Sequence, residues 1–181
     1  LIFNCLVYSQ LKQIFILNEG AYDYANNQIL VPVTIGSFNP VNGLYTKLNE
    51  VPGARFASDV VIDGTSYWVA ADKNLVKYDI NSHQKLNEFS IEGIRKIAFY
   101  NDLLIVTRGE YAKVFSSYVQ IYNKNNFDLL FQIPFADLPY TTESILVDQG
   151  IAYIGINNGF DFGKEVGMVL KIDLKNLKTI E

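Results

Sequence analysis

Four copies of one strand–turn–strand pattern follow one another along the sequence, and this repeat restricts the fold more than any other feature. The three clearest copies cover 58–89, 95–133 and 143–180. Their first strands begin near Val60, Ile97 and Ile145, which gives spacings of 37 and 48 residues. Units of four antiparallel strands at about 40 to 50 residues per repeat are typical of β-propeller blades. The repeat therefore predicts a propeller, because a sandwich would explain the strands but not their recurrence.

Inside each copy, β-branched and aromatic residues alternate with polar ones, which indicates antiparallel strands. Each first strand ends in a signal for a tight turn, namely Asp63-Gly64, Asn101-Asp102 and Asp148-Gln149-Gly150. Asx-Gly pairs supply the positive φ that hairpins need. No window of about a dozen residues has the apolar spacing of an amphipathic helix. The predicted fold class is all-β.

A fourth copy lies upstream and lacks its first strand. It begins with a strand at Ile14 and continues with a strand that starts at Gln28 and ends in FNPVNG. We predict one partial propeller domain over 11–181, with three to four blades of four antiparallel strands. The predicted blades lie near 14–52, 58–91, 95–134 and 143–181. Because propellers close with four to eight blades, we expect more blades in the full protein.

Composition excludes several classes of function. The 181 residues contain 15 Lys and Arg against 19 Asp and Glu, so the net charge is -4 and the pI is near 5.0. A general nucleic-acid binder needs a basic surface, which this balance does not supply. The single cysteine cannot form an internal disulfide, and the single histidine cannot build a His-based metal centre. We therefore expect neither a metal nor another cofactor.

The first ten residues form an apolar run that stops before Gln10. We interpret 1–10 as the remnant of a secretory signal, with Val7 and Ser9 at the small-residue positions of a cleavage site. The alternative is a first buried strand, since short apolar runs discriminate poorly between the two. Cys5 would then be a small buried hydrophobic residue. No other stretch is long and apolar enough to span a membrane. The signal remnant predicts a secreted, periplasmic or cell-surface protein.

The long connections of the sequence fall at one end of the predicted blades. They join the second strand to the third, or one blade to the next, and loops that lengthen on one face of a rigid scaffold usually carry binding. They contain aromatic, amide and charged residues, including Tyr24 and Phe56, which suit a polar ligand with planar parts or a protein partner. The candidate ligand-binding residues are Asn18, Glu19, Tyr22, Arg55, Arg95, Arg108, Glu110, Tyr111, Glu143, Asn157, Asn158, Phe160 and Asp161.

A structural role for these residues is the alternative. Glu19, Arg95, Arg108 and Glu143 would then pair with one another at the rim of the channel, while the aromatic side chains cap the core.

Two further expectations concern the scaffold. Trp68 lies in a second strand and should be buried beneath the stack of blades. His83 should be a surface turn residue at the end opposite the long loops, so that no Ser-His-Asp arrangement can form on the face that carries those loops.

The runs SDVVIDGTSYWVAADKN and LVKYDINSHQKL, together with FILNEG and FNPVNG, resemble the secreted YncE-like, YVTN-type seven-bladed β-propellers of Bacteroidetes. The strand endings VKYDINS and LKIDLKN match the repeated motif of that family, whereas VQIYNKN lacks its Asp. The resemblance implies a truncated seven-bladed propeller that is a periplasmic or surface-exposed binding protein. It also implies a C-terminal type IX secretion domain outside this sequence, and corrinoid capture only by analogy.

Three functions remain open at this point. The leading prediction is a non-catalytic propeller that binds a small molecule or a protein partner, without nucleic acid or a membrane span. The second is a propeller hydrolase or lactonase that uses Glu19, Glu143 and Asp161 around a metal in the axial channel. The third is a structural module of an adhesin.

Overall fold

The computed structural model describes residues 12–180, and every regular element in that range is a β-strand. The all-β prediction is confirmed. No helix in this range has the length and hydropathy that crossing a bilayer requires. The strands are β1 (Ile14–Asn18), β2 (Ala21–Asp23), β3 (Gln28–Val31), β4 (Val33–Asn39), β5 (Leu44–Val51), β6 (Ala57–Asp63), β7 (Ser66–Ala71), β8 (Asn74–Asp79), β9 (Lys85–Ser90), β10 (Ile94–Tyr100), β11 (Leu103–Arg108), β12 (Ser117–Asn123), β13 (Leu129–Pro134), β14 (Thr142–Asp148), β15 (Ile151–Ile156), β16 (Met168–Asp173) and β17 (Lys178–Ile180).

The strands form the blades of a β-propeller. Blade 2 (β6 to β9), blade 3 (β10 to β13) and blade 4 (β14 to β17) are four-stranded antiparallel meanders. Blade 1 is a three-stranded sheet in the order β1, β4, β5, and β2 pairs with β3 in a separate hairpin. The prediction of three to four blades, the first of them without its first strand, is therefore confirmed for the described residues.

Alternating residues of a strand point to opposite faces of its sheet, so each second strand contributes to two cores. In β7, Tyr67 and Val69 pack with the apolar residues of blade 1. Their neighbours Trp68 and Ala70 pack with apolar residues of blade 3, among them Leu104. Trp68 is 0% exposed, which confirms its predicted burial. Blades 3 and 4 share a third cluster that includes Ile105, Ile121, Ile154 and Ile172.

Polar contacts also join the first strands of successive blades. The backbone N–H of Ile97 donates to Asp59 Oδ2 at 3.0 Å, and Lys96 Nζ donates to the Ser58 carbonyl at 2.8 Å. Between blades 3 and 4 the contact comes from the second strand of blade 3, where Thr107 Oγ1 donates to the Glu143 carbonyl at 2.8 Å. Each first strand also carries a β-bulge where it pairs with the second strand. Bulges re-aim side chains, and these lie near the end from which the long loops emerge.

The turn between the third and fourth strands has the same structure in all four blades. It opens with an Asx residue whose side-chain oxygen accepts the N–H two residues on, and it closes with a residue at positive φ. The Asx side chain mimics a backbone turn, which is why this residue type recurs there. The opening and closing residues are Asn39 and Gly43, Asp79 and His83, Asn123 and Phe127, and Asp173 and Leu177.

Two expectations about local structure are wrong. The strand predicted to start at Gln28 is two strands: Gln28–Val31 pairs with β2, and Val33–Asn39 joins blade 1. Pro32 separates them, because proline has no N–H for a sheet ladder. His83 is not simply a surface turn residue, since its half-buried ring lies 6.2 Å from the Phe15 ring and 5.9 Å from the Tyr67 ring. The predicted signal remnant, 1–10, lies outside the described residues.

Candidate functional site

The long connections do lie at one end of the blades. The connection between second and third strands runs through the β2–β3 hairpin in blade 1, and covers 109–116 in blade 3 and 157–167 in blade 4. In blade 2 it is only the turn Asp72-Lys73. Three of the four connections are therefore long, as the sequence predicts.

A pocket of about 430 Å³ lies where these connections meet, and we refer to it as the central pocket. Blade 1, the connection into blade 2, blade 3 and blade 4 all contribute to its wall. Such a concave surface with aromatic and charged side chains from several elements is the usual form of a ligand site. The lining residues are Glu19, Tyr24, Arg55, Phe56, Arg95, Gly109, Glu110, Tyr111 and Phe160.

Arg55 is held by two carboxylates from different blades. Its Nε and Nη2 donate to the two oxygens of Asp72 at 2.9 and 2.6 Å, and Nη2 also donates to Glu110 Oε1 at 2.9 Å. The hydrogen bonds to Asp72 are the main reason why the pKa of Arg55 lies above its ordinary value. The guanidinium carbon lies 5.0 Å from the centre of the Phe56 ring. Arg55 is thus a fixed part of the wall.

Arg95 forms a second fixed contact across blades. Its Nε and Nη2 donate to the two carboxylate oxygens of Glu143, each at 3.0 Å. A bidentate pair of this kind fixes orientation as well as distance. The same guanidinium lies 5.2 Å from the centre of the Phe160 ring. The arginine therefore joins the first strand of blade 3 to the first strand and the long loop of blade 4.

Two tyrosines complete the mouth of the pocket. Tyr24 is 73% exposed and Tyr111 is 65% exposed. The Tyr111 ring packs at 5.9 Å against Phe162, which lies in the blade 4 loop. Exposed aromatic rings offer flat apolar area at a low entropic cost, so these side chains are the part of the pocket best able to contact a ligand.

The structure brings together six of the candidate residues in the central pocket, namely Glu19, Arg55, Arg95, Glu110, Tyr111 and Phe160. The others lie around it. Tyr22 lines an adjoining cavity of about 550 Å³ with Arg55 and Glu110. Asp161 lines a cavity of about 350 Å³ between blades 3 and 4. Asn157 lies with Glu143 in a cavity of about 440 Å³ bordered by blade 4 alone.

Arg108 is not available to a ligand, contrary to its place among the candidates. It is 8% exposed, and its Nε and Nη1 donate to the carbonyl oxygens of Glu92 and Ser117 at 2.8 and 2.9 Å. Its guanidinium lies 4.2 Å from the centre of the Phe115 ring. Burial lowers the pKa of Arg108. Its role is to join the connection before blade 3 to the long loop of that blade.

Asn18 and Asn158 also have structural contacts in place of the predicted ligand contacts. Asn18 Nδ2 donates to Thr34 Oγ1 and to the Tyr45 hydroxyl, at 3.1 and 2.8 Å. Asn158 is buried, and its amide accepts from the Thr141 N–H and donates to the Lys164 carbonyl. The Nδ2 of Asn18 and both polar atoms of the Asn158 amide are therefore bound by neighbouring parts of the chain.

The predicted rim network is correct in one pair only. Arg95 and Glu143 do bind each other, but Arg108 binds carbonyl oxygens, and no described basic residue lies within ion-pair distance of Glu19. The sequence did not identify Asp72, which pairs with Arg55. Asp72 lies in a two-residue turn with φ of 55°, and in the sequence this turn looks like an ordinary surface turn. The sequence identifies Tyr24 and Phe56 only as aromatic residues of the loops, and in the structure both line the central pocket.

The fold and this pocket together define the class of protein, which is a β-propeller with a pocket lined by loops. No family model matches the chain, and no curated protein matches it. The resemblance to YncE-like propellers therefore stays a prediction. Residues 12–180 contain no group of three or more His, Cys, Asp or Glu side chains placed to hold a metal ion, so Glu19, Glu143 and Asp161 do not form the site that the hydrolase alternative requires.

Proposed function

We propose that this protein is a non-catalytic, secreted or surface-exposed β-propeller that binds a small molecule or a protein partner in the central pocket. One observation carries the proposal. Loops from blades 1, 3 and 4 and the connection into blade 2 converge on one concave surface with four aromatic side chains. A scaffold that extends loops at one end and brings them together supports recognition better than it supports a purely structural role.

The rigidity of the wall is a second argument. Arg55 and Arg95 each have two donors engaged by carboxylates and one aromatic ring in cation–π contact. A wall that is already ordered loses little side-chain entropy when a ligand binds. The exposed Tyr24 and Tyr111 are the side chains left to adapt to it.

The proposal can be tested by saturation-transfer NMR on the full chain with four probes: benzamide, benzoate, benzamidinium and methyl glucoside. We expect at least one probe to receive saturation from the protein and to lose that signal in Tyr111→Ala. The matched control is Tyr45→Ala, which removes a half-exposed tyrosine from blade 1 outside the pocket. Circular dichroism should show that both variants keep the strand signal of the parent.

The proposal is wrong if every probe signal is unchanged in Tyr111→Ala and in Phe160→Ala. The same conclusion follows if Tyr45→Ala removes the probe signal as completely as the pocket variants do, because contact with the probes would then be spread over the surface.

A further inference from the structure

We propose that the ligand of the central pocket carries an organic cation, an amidinium, guanidinium or ammonium group, that lies between Glu19 and the rings of Tyr24 and Tyr111. This inference rests on the proposed function and names the chemical class that the same pocket takes. Its basis is the balance of charge around the pocket, the distribution of cations over the aromatic rings, and Glu19, an exposed carboxylate of the pocket that has no ion-pair partner among residues 12–180.

The side chains that line the pocket include two acids, Glu19 and Glu110, and two arginines, and the carboxylates behind the wall that bind those arginines add further negative charge. Arg55 is shared by Asp72 and Glu110, which leaves one negative charge in excess, while Arg95 and Glu143 balance each other. Lys113 lies between two carboxylates, 3.1 Å from Glu92 Oε2 and 3.7 Å from Glu110 Oε2, so when both Lys113 and Glu92 are counted the sum does not change. Glu19 adds a second uncompensated charge, since no described basic residue lies within ion-pair distance of it. A concave site lined by charge of one sign concentrates ligands of the opposite sign.

The aromatic rings of the pocket already bind cations in two places. Phe56 receives the Arg55 guanidinium, and Phe160 receives that of Arg95. Tyr24 and Tyr111 have no such partner among the described residues, although both rings line the same pocket. Faces of aromatic rings attract cations electrostatically, and tyrosine is a good acceptor. Each of these two rings packs against one aromatic neighbour, Tyr22 at 4.9 Å and Phe162 at 5.9 Å, and its remaining exposed area offers the contact that the other two rings have formed internally.

An anionic ligand fits the same wall poorly. The arginines are the only described cationic side chains that line the pocket, and the Nε and Nη2 of each are engaged by carboxylates. An anion could reach only the remaining Nη1 of each arginine, whose charge Asp72 or Glu143 already neutralises, and it would also approach Glu19. Unfavourable contacts with anions contribute to specificity for cations in the same way as favourable contacts with cations do.

The test compares three probes with the same planar ring and different charge, namely benzamidinium, benzamide and benzoate. Dissociation constants are measured by NMR titration of the full chain at low salt. We expect benzamidinium to bind about tenfold more tightly than benzamide, with benzoate weakest, and we expect its affinity to fall as salt is added. Glu19→Gln should reduce the benzamidinium affinity about tenfold and leave that of benzamide unchanged. The matched control is Asp137→Asn, an exposed carboxylate outside the pocket, which should change neither affinity.

A second arm distinguishes a free cation from the side chain of a partner protein. It compares the capped peptide Gly-Arg-Gly with the same peptide in which neutral citrulline replaces arginine. Tighter binding of the arginine peptide than of benzamidinium indicates a basic segment of a partner, and the reverse order indicates a small cation. Either result supports the proposed ligand class provided that Glu19→Gln weakens it.

Three kinds of result overturn the inference. The first is equal or tighter binding of benzamide or benzoate, the second is benzamidinium binding that Glu19→Gln does not weaken, and the third is the absence of any binding by the charged probes. If benzoate or benzamide binds and Tyr111→Ala removes that binding, the pocket is a ligand site of another class, so the proposed function survives while the cation is refuted.

Discussion

Gly93 occupies a position where both the backbone conformation and the surrounding space require glycine. It lies in the connection between blades 2 and 3 with φ of 69°, and its carbonyl accepts the N–H of Gly109 at 2.8 Å. A Cβ at this position would lie 2.5 Å from Phe115 Cε2. We predict that Gly93→Ala destabilises the protein strongly, because it combines left-handed backbone strain with an overlap in the core.

The magnitude follows from two contributions. An alanine in the left-handed region costs about 1–2 kcal/mol, and overpacking a filled site costs about 1–3 kcal/mol. Phe115 cannot give way cheaply, because it is 6% exposed, packs edge-on against Tyr118 and lies under the Arg108 guanidinium at 4.2 Å. The sum is about 2–5 kcal/mol, a large share of the free energy of unfolding of an ordinary domain.

Gly53→Ala is the matched control. Gly53 has φ of 78°, and a Cβ there would meet no atom within 4 Å. It should therefore lose only the backbone contribution, about 1–2 kcal/mol. Urea unfolding followed by circular dichroism measures both variants, and a double-mutant cycle with Phe115→Leu isolates the overlap. In the Phe115→Leu background, Gly93→Ala should cost no more than Gly53→Ala.

The reasoning would be refuted by equal losses for Gly93→Ala and Gly53→Ala in the parent protein. Additive losses in the cycle would refute it as well, because they would show that the Phe115 ring is not what the new methyl group meets.

Two further predictions concern stability. Burial, with smaller contributions from Tyr67 and Glu88, raises the pKa of Tyr78 to about 12. The folded state therefore holds the phenol proton more tightly than the unfolded chain does. The free energy of unfolding should be highest below pH 10 and should fall by about 3 kcal/mol as the pH rises from about 10 to 12. Alkaline unfolding curves of the parent and of Tyr78→Phe check this, since the variant should have a shallower fall over that window, and equal slopes would contradict the assignment. Gln149 is exposed with φ of 48°, so Gln149→Gly should stabilise by about 0.5–1 kcal/mol net of the entropy cost of glycine, whereas Gln132→Gly in the middle of β13 should destabilise; thermal melts of both variants decide, and a loss of stability in Gln149→Gly would contradict the strain.

The sequence predicts the blades well because each blade is specified locally. The turns after the first strands and the Asx-headed turns at Asp79, Asn123 and Asp173 fix where strands end, and alternation fixes which residues enter the cores. The prediction is wrong where two local signals compete, as in blade 1. There the apolar run after Gln28 looks like one long strand, and the effect of Pro32 decides that it is two.

Residues of the central pocket are predictable by position but not by partner. Their place in long loops identifies Glu19, Tyr111 and Phe160 from the sequence, because loop length is a local property. The role of Arg108 cannot be predicted in this way, because the groups that bind it are the backbone carbonyl oxygens of Glu92 and Ser117. Every residue has such a carbonyl, so the sequence does not single these two out. A charged residue at the end of a strand has the same sequence signature whether it points into the pocket or beneath it.

The ion pairs of the pocket explain this limit. Arg55, in the connection between blades 1 and 2, reaches Glu110 in the loop of blade 3, and Arg95 in blade 3 reaches Glu143 in blade 4. No single repeat contains both members of either pair, so the wall exists only when the blades are stacked. Because each arginine must lie in one orientation to satisfy its carboxylates and its aromatic ring, stacking also fixes the shape of the pocket. The pocket is therefore a property of the packing between blades, and its chemistry can be read only once neighbouring blades are placed together.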